Sequence, residues 1–189
     1  MINLGADWKN VKADDGSFKS LPAGVYKCVV KQASVKQSKK GQEMLVICFD
    51  IAEGEYATYF MDLYAKRHEE AAQKGETAKY PNNGCFYQLT EGDFRPRFKH
   101  LINSIEESNP GFTFTGDEKT LVGKFFGGVM REEEYESKRD GSIKTTVRCD
   151  RVVPVSKIET TKVPDCKRLK KSAEQQAVDS TEIPFWPFD

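Results

Sequence analysis

The 189 residues contain no phosphate loop, no G-x-S-x-G, no H-E-x-x-H and no zinc spacing. The commonest signatures of catalysis and of structural metal are therefore missing. Histidine is scarce: only His68 and His100 occur. His68 precedes Glu69 and Glu70, but a solvated helix face accounts for that fragment more simply than a metal or acid–base site. Asp50 and Asp62 read as single acids on a wet sheet face, since no neighbour completes a site around them. No catalytic residue, metal or cofactor is expected. The five cysteines are odd in number and none form C-x-x-C. Cys28, Cys48 and Cys149 sit in apolar runs and read as small buried hydrophobes in a reducing compartment. No signal peptide and no apolar run near 18 residues is present, so a cytoplasmic protein away from membranes is expected. Net charge is zero, from 29 basic and 29 acidic residues. Bulk charge thus gives no reason to expect nucleic acid.

Strand texture is plentiful. "LPAGVYKCVVKQASV" and "EMLVICFDIAEG" are rich in β-branched and apolar residues, with "KQSKKGQ" between them. "EYATYFMDLY" resumes after Glu53-Gly54, which suits a tight turn, so residues 23–63 read as a three-stranded meander. The polar stretch from Ala65 to Gly84, with Asn83-Gly84 near its end, reads as a loop with room for a helical turn. Phe94, Phe98, Leu101, Ile102 and Ile105 then recur at helical spacing, with Pro96 in the first turn and Asn109-Pro110-Gly111 as the stop. From Leu121 to Val155 two long strands flank Asp140-Gly141, a hairpin signal. Gly123, Gly127 and Gly128 suggest bulges or a bend.

Three strands, a helix and two strands predict a mainly β chain: a five-stranded OB-like barrel with a helical insert between strands three and four. An α+β sheet with one packed helix fits the raw pattern almost as well. Residues 1–155 form the core domain with a loose lead-in, and 156–189 a disordered tail. Within that tail, Ser156–Lys171 has six bases against two acids, and Ser172–Asp189 has four acids and no base. Too little apolar surface remains there to offset ordering entropy.

Alternation along the strands sets one core face against a face mixing cations with rings. Lys27, Lys31, Lys144 and Arg148 fall on the second face, with Tyr56, Tyr59 or Phe60 between them. Lys36, Lys39 and Lys40 add charge in the first hairpin, and Arg131, Lys138 and Arg139 in the last. Cations that track phosphates, interleaved with rings that stack on bases, are what single-stranded nucleic acid requires. An ordinary solvated edge over core aromatics is the competing explanation.

The end of the chain, "TEIPFWPFD", resembles the acidic Ile-Pro-Phe tip of bacterial single-stranded DNA-binding proteins, which docks replication and repair enzymes. The resemblance carries over to Glu182, Ile183, Pro184 and Phe185, although the chain continues past them. Trp186 and Phe188, the remaining rings of the tip, are candidate partner contacts alongside them. The body, from "LPAGVYKCVV" through "LVGKFFGG", is similar to a family of phage-encoded proteins regarded as single-stranded DNA-binding proteins with an OB-like core. Together these imply sequence-independent binding of single-stranded DNA in phage replication or recombination, within the cytoplasm of a bacterial host. The tail would recruit replication or recombination proteins, and a homo-oligomer stays open. Two alternatives remain: an adaptor that binds no DNA and works through its tail, and a small nuclease, which the missing metal and nucleophile set disfavours.

Overall fold

The computed structural model describes residues 20–169. Its elements are β1 (Gly24–Gln37), β2 (Glu43–Ile51), α1 (Tyr59–Lys74), β3 (Cys85–Leu89), α2 (Arg95–Ser108), β4 (Phe125–Glu136) and β5 (Ile143–Val153). The strands form one antiparallel sheet in the order β3-β2-β1-β4-β5. β2, β1 and β4 therefore lie inside, where both edges are paired. No helix among the described residues is long and apolar enough to cross a membrane.

One sheet face carries the core. Cys28 and Val30 of β1, Ile47 and Phe49 of β2 and Phe126 and Met130 of β4 are all buried there. Leu101, Ile102 and Ile105 of α2 close over them, as their helical spacing predicts. Pro96 does stand in the first turn of that helix. Two bulges re-aim the strands. Val30 pairs with Phe49 and Gln32 with Cys48, so β1 carries an extra residue, Lys31. Val129 pairs with Arg151 and Met130 with Cys149, which leaves Asp150 as the extra residue of β5. The irregularity expected around the β4 glycines thus lies just beyond them. Gly128 is needed for close approach instead: a Cβ there would stand 2.8 Å from the sulfur of buried Cys28.

The strand predicted across "EYATYFMDLY" does not form; the stretch is a turn followed by the start of α1. The cause lies at the end of β2. Asp50 is wholly buried there, not on a wet face. Its Oδ1 accepts from the Ile51 and Phe60 N–H groups at 2.8 and 2.9 Å, and its Oδ2 from the Met61 N–H at 3.1 Å. Asp50 thereby caps α1 from a strand, a role normally filled by the N-cap residue. Thr58, which holds that position in a left-handed conformation, makes no cap bond of its own. The third strand comes instead from the short run "CFYQL".

β3 and β5 are the two sheet edges, and no ladder joins them, so the expected barrel is not closed. The fold is a mixed α/β one: a five-stranded antiparallel sheet with two α-helices among the described residues. Cys48, expected as a lone hydrophobe, faces Cys85 across the β2–β3 ladder and is disulfide-bonded to it. Their Cα atoms are 4.1 Å apart, the near spacing of a non-hydrogen-bonded pair.

The stem from Ser156, expected to be loose, runs along the body as far as it is described. Ser156 bonds Glu107, and the Lys167 N–H donates to the Glu132 carbonyl while its own carbonyl accepts from Glu134. This short parallel bridge covers β4 beyond Met130, where its ladder with β1 has ended.

Candidate functional site

The gap between the two edges is a cavity of 630 Å³. Its floor is the core itself, through Leu101 of α2 and Val152 of β5, both buried. One wall is β3, with Phe86, Tyr87 and Gln88; the other is β5, with Arg148, Cys149 and Arg151. Arg97 and His100 enter from α2, and Arg131, Glu133 and Lys167 complete the lining on the β4 side. Register explains part of this grouping, since Arg131 and Arg148 are direct cross-strand partners. The bulge explains more, because the extra residue Asp150 is placed to bond the Arg131 guanidinium.

Five cationic side chains line the cavity against two carboxylates, and both carboxylates are already engaged. Asp150 holds Arg131. Glu133 accepts from Lys167 at 2.7 Å, and that bond holds its carboxyl below the usual range despite partial burial. The Arg148 Nε stands 3.9 Å from Glu133, an ion pair too long for a hydrogen bond. Burial pushes the Cys149 thiol up to about 12, which keeps it neutral near pH 7. What remains is an excess of positive charge beside Tyr87, a ring that is 48% exposed. Such a surface can hold phosphate through guanidinium forks and stack a base.

The residues expected from sequence fall in separate places. Arg131 and Arg148 meet in the cavity. Lys27 lies on β1, bonded to Glu53 at 2.8 Å and set 5.2 Å from the centre of the Phe125 ring. Lys31 is exposed at its bulge, and Lys36 and Lys40 are exposed near the β1–β2 turn. Lys144 pairs with Asp140 at 3.2 Å beside the last hairpin turn. The three rings are not a stacking platform. Phe60 is fully buried against Phe49 and Tyr59, which removes it from any ligand. Tyr56 and Tyr59 are half-buried in edge-on contact, and Tyr59 accepts from the Leu21 N–H. Arg97, Arg151, Lys167 and Tyr87 were not expected. The basic run "RPRFKH" on α2 was the one signal for Arg97; nothing in periodicity marks the others. Glu182, Ile183, Pro184, Phe185, Trp186 and Phe188 lie outside the described residues.

Residues 6–87 match the model of a family described as a protein of unknown function (DUF669). The match spans β1, β2 and α1 and stops within β3, before α2 and the β4–β5 hairpin. No curated protein matches the chain.

Proposed function

We propose that this protein binds single-stranded DNA without sequence preference and without catalysis, through the cationic cleft between β3 and β5. The observation that carries this reading is the gathering of Arg97, Arg148 and Arg151 around an exposed tyrosine at an unclosed sheet seam. Edge strands add unpaired backbone donors there. The all-antiparallel order with a helix between β3 and β4 suits an OB-like core, one left open at the seam. The exposed lysines near the β1–β2 turn extend the charge available to a strand. The setting proposed is a phage protein working in a bacterial cytoplasm, with a tail that recruits replication or recombination proteins.

Fluorescence anisotropy with labelled dT oligomers at two salt concentrations tests the reading. Binding that weakens as salt rises supports it. No binding leaves the adaptor alternative, and magnesium-dependent loss of oligomer indicates a nuclease. Within the cleft, Tyr87→Ala is expected to weaken binding by about 1–3 kcal/mol. The same change should alter stability by only about 0.5 kcal/mol, as for an exposed side chain. Equal affinities of variant and parent would remove Tyr87 from the interface.

Deleting residues 172–189 is expected to leave strand affinity unchanged or slightly tighter at low salt, because four acids leave a chain whose site is cationic. Capture of replication or recombination proteins should disappear with them. Loss of folding in the truncated chain would instead make the tip a structural clasp.

A further inference from the structure

We propose that the cleft between β3 and β5 is a pocket for one phosphorylated nucleoside, such as the terminal nucleotide of a strand, with phosphate held by Arg97 and Arg148 and the base on Tyr87. This deepens the strand-binding reading and rests on it for the source of the ligand.

Size comes first. At 630 Å³ the cavity falls within the roughly 300–1,000 Å³ of small-ligand sites. Its floor is closed by Leu101 and Val152, which belong to the core. A floor of that kind gives the groove a deep end that can seat one discrete group.

Charge points the same way. With both carboxylates engaged, three positive charges are in excess in the lining. An internal phosphodiester carries one negative charge. A terminal phosphate monoester carries about −1.5 to −2 near neutral pH and offers three acceptor oxygens. The monoester therefore gains more from this lining, and guanidinium forks match its geometry. The walls supply the remaining recognition. Gln88 is buried, and one of its two amide N–H groups donates to the Leu89 carbonyl at 2.8 Å. The second N–H and the carbonyl oxygen are the groups that would meet a base edge.

The test uses the full chain and dT oligomers that carry a 5′ phosphate, a 3′ phosphate or neither. Free dTMP and thymidine are compared by thermal shift. A phosphorylated end should bind about tenfold tighter, the value of one charge-assisted hydrogen bond. That advantage should vanish in Arg148→Gln and in Arg97→Gln, both exposed substitutions, so that each variant binds the phosphorylated and unphosphorylated oligomers equally. Thermal stability should rise with dTMP and not with thymidine. Equal binding of all three oligomers with no response to dTMP would overturn the pocket and leave strand binding standing. Protection by dTMP with no oligomer bound would keep the pocket and overturn the strand reading.

Discussion

Replacing Asp50 with alanine is expected to destabilise the fold by about 3 kcal/mol. Three backbone N–H groups lose their acceptor at once. Each buried donor left without a partner costs about 1–3 kcal/mol, and loss of a helix cap about 0.5–2. Partial access of water to the Met61 end keeps the total near the lower part of that range. Urea unfolding should show a lowered midpoint with an unchanged slope. Asp50→Asn should cost less, since one acceptor oxygen survives. The pH dependence separates the charge from the bonds. Burial raises the folded-state value of Asp50 even against its three donors. A group raised on folding contributes most below its unfolded value, about 3.9, and loses that contribution as pH rises through the folded value. The parent should therefore gain stability relative to Asp50→Asn on acidification. A destabilisation below about 1 kcal/mol in the alanine variant would show that α1 does not depend on this cap.

The second large effect concerns the cleft. Changing Arg97, Arg148 and Arg151 together to glutamine should lower affinity for a dT oligomer by about a hundredfold or more, because each charge-assisted contact is worth about 1.5–3 kcal/mol. The log–log salt slope should fall by about 2, at roughly 0.7 per phosphate released on a single strand. Glutamine keeps polarity and most of the bulk, and circular dichroism would check the fold, since Arg151 also donates to the Lys162 carbonyl. Lys27 and Lys144 provide the contrast. Each already faces a carboxylate within 3.2 Å, so their removal should change the slope less. If the lysine pair matters more than the arginine trio, the strand runs over the sheet face and not through the seam.

Much of the fold could be read directly from local pattern. The β1–β2 hairpin, α2 and the hairpin around Asp140-Gly141 each announce themselves by period and punctuation. The switch of apolar parity from Cys28 and Val30 to Ala33 and Val35 even marks the β1 bulge, for a reader who tracks phase. The third strand misleads because a ring-rich stretch follows a turn signal at Glu53-Gly54. What makes it a helix is Asp50, whose capping partners lie ten and eleven residues ahead. The site was less legible for the same reason. Arg148 and Arg131 could be paired by counting outward from the turn. Tyr87, however, comes near them only because the sheet bends and α2 contacts both of its edges. Sequence spacing carries no trace of that bend.

The short parallel bridge at Lys167 has a consequence for assembly. β4 outruns β1, and that overhang carries Glu132, Glu133, Glu134 and Glu136. Another copy of the same overhang would bring acids against acids, which disfavours pairing like with like. The segment that does fit is basic, short and attached to the same chain.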